Sequence, residues 1–331
     1  MPVTTDGPVS WEEASVLVTG GTGSFGHKFV EVMLTRYRPR RLCIVSRDEL
    51  KQSEMASRFN HPALRFFIGD VRDRERLVRA MHGVDIVFHA AALKQIPACE
   101  YNPFEAIQTN VLGAKNVIDA AIDEGVKRVI GISSDKAVNP LNLYGATKLC
   151  AEKLFVQGNV YGRPRGTSFA VVRYGNVIGS RGSVVPLFAA QRAGGRVTVT
   201  DRGMTRFWIK LEEGVEFAIR SVELMRGGEI FIPKIPSMRI MDLVQAIAPG
   251  CQVEDIGIRP GEKLHEILLS EDESRQALEL NDMFVIEPLD PSWGGYQSRE
   301  GGKRPARGFR YSSDGNDVWL SPAEMKELAG E

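Results

Sequence analysis

The sequence predicts an α/β protein built on a doubly wound parallel sheet, and three observations lead to that prediction. Short apolar runs alternate with amphipathic stretches through the first half of the chain, and a glycine-rich turn follows the first run. Of the 331 residues, 43% are hydrophobic and 25% are charged, which is ordinary for a globular protein and excludes general disorder. This length suits one large domain or two domains that share an interface.

The predicted strands are short, rich in β-branched or aromatic residues, and bounded by Gly, Asp, Ser or Pro. They are Val16–Val18, Leu42–Val45, Leu64–Ile68, Ile86–Phe88, Val129–Ile132 and Ser168–Arg173. Helical stretches such as Phe25–Thr35 and Arg74–Met81 lie between them. Alternation of this kind implies parallel strands joined by right-handed crossovers, with helices on both faces of the sheet.

Charge and composition exclude several classes of function. The 42 Lys and Arg residues balance 42 Asp and Glu residues, which argues against a general nucleic-acid binder. The four cysteines lie far apart and the five histidines have no ligand spacing, so no metal site is expected. The chain has no run of about 18 apolar residues and no apolar signal core at its N-terminus. We therefore expect a soluble cytoplasmic protein with neither a membrane nor a nucleic-acid partner.

A phosphate-binding turn is predicted directly after the first strand. Glycines allow the backbone to approach a pyrophosphate, which the N–H groups at the start of the next helix attract. The turn contains both G-x-x-G-x-x-G and G-x-G-x-x-G spacings, and it predicts a dinucleotide in a Rossmann fold. Its cofactor-binding residues are predicted to be Gly20, Thr22, Gly23, Ser24, Phe25 and Gly26.

The end of the second strand is expected to meet the ribose of the cofactor. Arg47 offers a cation to a 2′-phosphate and Ser46 offers a hydroxyl donor, with Lys51 in support. These residues favour NADP. Asp48 leaves NAD open, because an acidic side chain at this place can bind the 2′-hydroxyl.

Residues after the third and fourth strands complete the predicted cofactor site. Asp70, which precedes Val71, is placed to accept a hydrogen bond from the adenine amine. Ala90 and Ala91 follow the fourth strand, and their small side chains leave room for a dinucleotide across the strand ends.

From these motifs we expect three parts. A dinucleotide-binding domain spans residues 12–175, and a smaller substrate-binding lobe over 176–290 interleaves with the sheet. A C-terminal tail covers residues 291–331. Within it, Pro291–Asn316 is rich in Gly, Ser and Arg, which predicts a long surface loop or a partner contact.

A catalytic set is predicted at the end of the fifth strand. Tyr144 and Lys148 are four residues apart and share one face of a helix, shortly after the fifth strand runs into Ser134. An ammonium beside the phenol would lower the pKa of Tyr144 from ~10. Tyr144 would then act as a general base on an alcohol while a hydride leaves the same carbon.

These residues resemble the extended short-chain dehydrogenase/reductase family, whose catalytic set is Ser or Thr, Tyr and Lys, and Ser134 matches the hydroxyl position of that set. Over roughly residues 12–290 the resemblance narrows to the inverting UDP-N-acetylglucosamine 4,6-dehydratases. Sugar dehydratases of the dTDP-glucose type carry a glutamate where Lys136 stands. The segments that carry the narrower resemblance are Ser46–Met55, Ala90–Pro97, Ser134–Lys148, Arg173–Val185, Met204–Ile209 and Ile258–Glu266.

The resemblance implies an NADP-dependent dehydration of a UDP-sugar with inversion at C5. Tyr144 would take the 4′-hydroxyl proton as hydride passes from C4 to NADP. Lys136 would then remove the C5 proton, Asp135 would protonate the departing 6-hydroxyl, and hydride would return at C6. Burial or a nearby cation such as Lys148 would lower the pKa of Lys136 and suit it to act as a base.

The resemblance also assigns binding residues and a form of assembly. The cofactor contacts would include Lys94, which also reaches the sugar, and Val177. The substrate contacts would be Asn176 and Arg181, with Thr200 and Arg259 on the UDP group. The helix Phe104–Asp119 carries an apolar stripe and, together with Tyr144–Gln157, would form the two-helix homo-oligomer face of this family, although the same stripe would also suit packing on the sheet.

Two alternatives remain open at this point. A nucleotide-sugar 4-epimerase or a retaining 4,6-dehydratase would use the same cofactor, although an epimerase needs no Asp135–Lys136 pair. A dinucleotide-binding protein without turnover often lacks the tyrosine or the lysine, whereas Tyr144 and Lys148 are both present.

Overall fold

The computed structural model describes residues 8–179, 183–288, 299 and 301–330. The strands, in chain order, are β1 (Ser15–Thr19), β2 (Arg41–Ser46), β3 (Leu64–Ile68), β4 (Ile86–His89), β5 (Arg128–Ser134), β6 (Ser168–Tyr174), β7 (Asn176–Val177), β8 (Arg196–Val199), β9 (Thr205–Ile209), β10 (Ile230–Pro233), β11 (Ser237–Arg239), β12 (Gln252–Asp255), β13 (Ile267–Leu269), β14 (Ala277–Glu279), β15 (Met283–Ile286) and β16 (Tyr311–Ser312). The helices are α1 (Ser24–Val32), α2 (Glu49–Phe59), α3 (Arg74–Met81), α4 (Ile96–Tyr101), α5 (Pro103–Ile107), α6 (Gly113–Asp123), α7 (Leu143–Gly162), α8 (Val184–Arg192), α9 (Leu211–Leu224), α10 (Ile240–Ile247), α11 (Glu271–Ser274) and α12 (Pro322–Ala329).

The main sheet has the order β14-β15-β10-β6-β5-β4-β1-β2-β3. Strands β1 to β6 and β10 are parallel, and β15 and β14 add an antiparallel edge. The chain builds outward from β1 to β3 and then returns to place β4 on the other side of β1. This reversal creates the crevice at the strand ends where doubly wound sheets bind ligands. The predicted fold class is confirmed.

Alternation along β1 shows why the sheet is buried on both faces. Leu17 belongs to the apolar layer that α6 and α7 cover, whereas Val16 and Val18 belong to the layer under α1 and α9. Successive side chains of a strand point to opposite faces, so a strand with helices on both sides must be apolar throughout. That requirement explains why short apolar runs located the strands: each predicted strand lies within an observed one.

The first predicted helix differs from the structure near its C-terminal end. It was expected to run to Thr35, but α1 ends at Val32 and a π-helical turn continues over Met33–Tyr37. Arg38 ends this turn with φ +51°, and its N–H donates to the carbonyl of Met33. Apolar periodicity does not distinguish a wider helical turn from an α-helical one.

The later part of the chain both extends the main sheet and builds a smaller lobe. Strands β10, β14 and β15 join the main sheet, while β7, β9 and β11 form a separate sheet and β8 pairs with β12. The smaller lobe has its own apolar core, to which Trp208, Leu243 and Met325 contribute.

The segment predicted as a long surface loop is partly built into the fold. Within Pro291–Asn316, the described residues include β16, which pairs with β13. Tyr311 is buried there, and its hydroxyl accepts from the N–H of Ile235 and donates to the carbonyl of the same residue, both at 2.8 Å. Residues 289–298 and 300 lie outside the described part. None of the helices among the described residues is both long and apolar enough to span a bilayer.

Candidate active site

The glycine turn joins the ends of β1 and β4 closely. A Cβ atom on Gly20, whose φ is +65°, would lie 2.8 Å from backbone atoms of Ala91. A Cβ on Gly26 would lie 2.0 Å from the carbonyl oxygen of Gly21. Gly23 is the N-cap of α1 and brings no side chain to cap that helix. The turn therefore brings bare backbone and the open N-terminus of α1 together, which fits a pyrophosphate.

At the end of β2, the candidate ribose-binding residues differ in the partners that hold them. Ser46 and Thr22 are locked together, with 2.6 Å between their hydroxyl oxygens. Asp48 caps α2: its carboxylate accepts from the backbone N–H of Lys51 at 3.0 Å and from Lys51 Nζ at 2.6 Å. These hydrogen bonds lower the pKa of Asp48. Arg47 is half exposed, and its nearest anionic partner is Asp70 Oδ2 at 3.5 Å.

Asp70, after β3, is held by an arginine. Its Oδ2 atom accepts from Arg72 Nε at 3.0 Å and from Arg72 Nη2 at 2.7 Å. Partial burial acts to raise the pKa of Asp70, but the bonds from Arg72 outweigh it and lower the pKa. Asp70 thus stays ionised as an acceptor. Val71 is buried in the layer that α6 covers.

The end of β4 is tied to β1 by a buried histidine. The Nδ1 atom of His89 lies 2.8 Å from Thr19 Oγ1, and burial lowers the pKa of His89 to about 3. The ring is therefore neutral and acts as a structural link. Ala90 and Ala91 follow it with half-buried side chains. Partial burial also lowers the pKa of Lys94, in the segment after them.

The predicted catalytic residues meet because the loop after β5 packs on the start of α7. Asn142 caps α7 by accepting from the N–H of Gly145 at 2.8 Å. A Cβ on Gly145 would lie 2.2 Å from the carbonyl oxygen of Lys136. A glycine there lets the turn Asp135–Ala137 approach the helix that carries Tyr144.

A hydrogen-bonded chain connects these side chains. Ser134 Oγ donates to Asp135 Oδ1 at 2.6 Å, and Lys136 Nζ lies 3.0 Å from the same oxygen. Asp135 is fully buried, and its Oδ2 atom has no hydrogen-bond partner among the described residues. On its other side, Lys136 Nζ donates to Asn176 Oδ1 at 3.3 Å.

The predicted low pKa of Tyr144 is wrong in direction. Burial raises the pKa of Tyr144 to about 12, although the Lys136 ammonium and a hydrogen bond with Ser134 act to lower it. Lys148 is not among the groups that lower the pKa of Tyr144, and its Nζ atom donates to the carbonyl of Ile132. Burial also lowers the pKa of Lys148 to about 8, against the effect of Glu152. The cation that favours the phenolate is Lys136.

The expected low pKa of Lys136 is also wrong in direction. Burial disfavours its ammonium, but the carboxylates of Asp135 and Glu266 outweigh burial and raise the pKa. Glu266 Oε1 lies 3.3 Å from Lys136 Nζ, and only 3% of this residue is exposed. Glu266 is not among the predicted site residues, because nothing in its local spacing links it to the loop after β5.

Three of the candidate substrate residues, Asn176, Thr200 and Arg259, lie on the smaller lobe. Asn176 and Val177 form β7, which pairs with β9 and brings Asn176 to Lys136. The parallel pair β8 and β12 ends with Val199 opposite Asp255, so Thr200 and the segment that contains Arg259 leave at the same end.

Thr200 and Arg259 make local contacts there. Thr200 Oγ1 donates to Met204 Sδ at 3.1 Å, and the N–H of Arg259 donates to Glu262 at 3.3 Å. Arg181 lies outside the described residues. Over residues 8–179, 183–288 and 301–330, no cluster of three or more His, Cys, Asp or Glu is arranged for a metal ion.

The strand order, the glycine turn after β1 and the Tyr-Lys pair on α7 together define the class of extended short-chain dehydrogenases/reductases. A family model described as polysaccharide biosynthesis protein matches residues 16–288. The chain belongs to that family.

Three similar proteins illustrate the range of this family. A Campylobacter jejuni protein named UDP-N-acetylglucosamine 4,6-dehydratase (inverting) is 52% identical, over 96% of this chain and 98% of its own length. A Rickettsia conorii protein named UDP-glucose 4-epimerase is 42% identical, over 96% and 95%. The X-ray structure of Pen from Bacillus thuringiensis superposes with a TM-score of 0.87 at 40% identity, covering 96% of this chain and 97% of that one.

Proposed function

We propose that this protein is an inverting UDP-N-acetylglucosamine 4,6-dehydratase. The observation that carries the proposal is the pairing of Lys136 Nζ with the buried Asp135 carboxylate, 3.0 Å away, on the loop packed against Tyr144. An elimination needs an acid and a base beside the residue that takes the proton of the 4′-hydroxyl, and this loop supplies both. The similarity to the Campylobacter jejuni protein supports the substrate.

The first chemical task falls to Tyr144. A bound nicotinamide dinucleotide supplies a hydride acceptor for C4 and, later in the same turnover, a hydride donor for C6. Tyr144 takes the proton of the 4′-hydroxyl as a phenolate, which the neighbouring Lys136 ammonium stabilises. Ser134 donates to Asp135 and is close enough to Tyr144 to share a hydrogen bond with it.

The second task is the loss of water, for which the Asp135–Lys136 pair supplies the acid and the base. At rest the pair is an ammonium and a carboxylate. Transfer of one proton from Lys136 Nζ to Asp135 gives a neutral amine and a carboxylic acid. The amine then removes the C5 proton, and the acid protonates the 6-hydroxyl as it leaves as water. The pair ends as ammonium and carboxylate again, so its protons balance over the turnover.

Inversion requires that C5 regain a proton on the face opposite Lys136. The proton on Lys136 therefore does not return to C5, and the new C5 proton comes from solvent. Tyr144 gives the proton of the 4′-hydroxyl to solvent and returns to the phenolate, so the turnover balances. We assign the sugar contacts to Lys94, Asn176 and Arg181, and the UDP contacts to Thr200 and Arg259, whose fork suits a pyrophosphate.

The test of this function is the product formed from UDP-N-acetylglucosamine in D2O. We expect a 6-deoxy-4-keto sugar with deuterium at C5 and the L-arabino configuration, identified by NMR. The D-xylo configuration would indicate a retaining enzyme. A sugar that keeps its 6-hydroxyl, is inverted at C4 and carries no deuterium at C5 would support the 4-epimerase alternative, which the Rickettsia conorii relative favours.

We further propose NADP as the cofactor. Asp48, which would favour NAD, is engaged by Lys51, while Arg47 is 54% exposed at the end of β2. Arg47→Ala is expected to weaken NADP binding by about 10- to 100-fold and to leave NAD binding unchanged, because it removes a charge-assisted bond to the 2′-phosphate. Fluorescence titration with both cofactors measures this, and Arg58→Ala on α2 is the control. Equal losses for both cofactors would contradict the assignment.

We also propose that copies of this chain associate through the face around α5. Phe104 is 77% exposed and Ile107 is 39% exposed, so the stripe does not only pack on the sheet. Neighbouring apolar side chains that are exposed on one helix, as Phe104 and Ile107 are on α5, suit an interface between subunits.

A further inference from the structure

The segment Gly261–Glu266 joins the smaller lobe to the loop after β5. Asn142, the cap of α7, donates from Nδ2 to the carbonyl of Gly261 at 2.8 Å. Lys263 Nζ donates to the carbonyl of Asp135 at 3.4 Å and also to the carbonyl of Val138. Glu266 then reaches Lys136. The same stretch of chain therefore touches the helix cap, the backbone of the loop and the side chain of the proposed base.

Glu266 is a buried carboxylate among three cations. Its oxygens lie 3.3 Å from Lys136 Nζ, 3.7 Å from Lys263 Nζ and 3.9 Å from Arg206 Nε. Burial acts to raise the pKa of Glu266, but these cations outweigh it and lower the pKa. The carboxylate is therefore ionised, since a buried charge persists only when it is paired.

The backbone at Glu266 is fixed from the opposite side. Its N–H donates to Ser313 Oγ at 2.9 Å, and its carbonyl accepts from the N–H of Ser313 at 2.8 Å. Ser313 Oγ also lies 2.7 Å from Thr205 Oγ1. Because the main chain is held there, the direction of the Glu266 side chain toward Lys136 is set by the fold of the lobe.

We propose that Glu266 is a positioning residue for the base at C5: it holds Lys136 Nζ opposite Asp135 and stabilises the ammonium that forms as C5 loses its proton. This inference rests on the proposed function. With Asp135 as its only partner, the long Lys136 side chain would keep most of its rotational freedom. Glu266 and Asn176 add contacts at 3.3 Å each and restrict the amine. Ionic stabilisation of a forming charge acts directly on the rate.

The charges around Lys136 determine the direction of the expected pH effect. Asp135 and Glu266 raise the pKa of Lys136 and Arg206 lowers it. Tyr144 and Lys263 also face this cluster. When Glu266 loses its charge, one of the two carboxylates that raise the pKa of Lys136 is gone. Lys136 then becomes neutral at a lower pH.

Glu266→Gln tests the inference. We expect kcat to fall by about 10- to 100-fold with KM nearly unchanged, because a charge-assisted contact is lost while the UDP contacts stay. The acid limb of the pH–kcat profile should move to lower pH. With substrate deuterated at C5, the isotope effect on kcat should exceed that of the wild type, since proton removal at C5 becomes more rate-limiting.

Two further variants separate this role from a merely structural one. Glu266→Asp keeps the charge but holds it farther from Lys136, because its side chain is shorter. This variant should recover part of kcat, and the acid limb of its pH–kcat profile should lie between those of the wild type and Glu266→Gln. If Glu266→Gln does not fold, the kcat and acid limb of Glu266→Asp test the positioning role of Glu266 instead. Glu271→Gln, an exposed carboxylate on α11, should behave as the wild type.

A reduced kcat with an unmoved acid limb and an unchanged isotope effect would overturn the role of Glu266, and so would full activity. Neither result would affect the proposed function, which fails separately if the wild type forms no dehydrated product from UDP-N-acetylglucosamine.

Discussion

Lys136→Arg is expected to slow the loss of water by about 10²- to 10⁴-fold, while oxidation at C4 continues. The guanidinium keeps a cation beside Tyr144 but does not give up its proton, so it has no means of acting as a base. UDP-N-acetylglucosamine should therefore convert bound oxidised cofactor to its reduced form, visible by absorbance, without release of a 6-deoxy product. Measured in D2O, exchange at C5 should also be lost.

Lys136→Ala is the matched comparison for that variant. It removes both the base and the cation that favours the phenolate, so the pKa of Tyr144 should rise further and C4 oxidation should need a higher pH. Lys136→Arg should keep the pH dependence of C4 oxidation near that of the wild type. Near-normal water loss in either variant would remove Lys136 from the role of base, and identical pH profiles for C4 oxidation would remove its effect on Tyr144.

Arg173→Met is expected to destabilise the folded protein by about 3–5 kcal/mol, because it leaves two carboxylates without their cation. Arg173 is fully buried on β6; its Nη2 atom lies 2.6 Å from Glu152 on α7 and 2.9 Å from Glu273 on α11. Its Nη1 atom also donates to the carbonyl of Leu268 at 2.9 Å. The free energy of unfolding in urea, monitored by circular dichroism, measures the loss.

Two comparisons show whether burial causes that loss. Arg196→Met removes a cation from an exposed pair with Glu254, and its effect should stay within about 1 kcal/mol. The triple variant Arg173→Met, Glu152→Gln, Glu273→Gln should be more stable than Arg173→Met alone, because no buried charge is left unpaired. An unfolding free energy for Arg173→Met that matches the Arg196→Met control would show that this buried network does not stabilise the fold.

The strands and the glycine turn could be predicted from sequence because their signals are local. A strand covered on both faces must be apolar at every position, so Val16–Val18 and Val129–Ile132 are visible as runs. The turn over Gly20–Gly26 is recognisable because a Cβ at Gly20 or Gly26 would collide with backbone. A surface stripe such as that of Phe104 left two interpretations open, because a local pattern does not record how exposed its side chains will be.

The sequence by itself determined strands β1 to β6 of the main sheet, the glycine turn and the neighbouring residues Asp135, Lys136 and Tyr144, since periodicity and short spacings place groups that are close along the chain. Only the tertiary structure decided which charges surround those groups. It made Lys136 an ammonium held by Asp135 and Glu266, and it raised the pKa of Tyr144 to about 12 through burial. A pKa depends on burial and on charges from segments far apart along the chain, and no local pattern records which of them will meet.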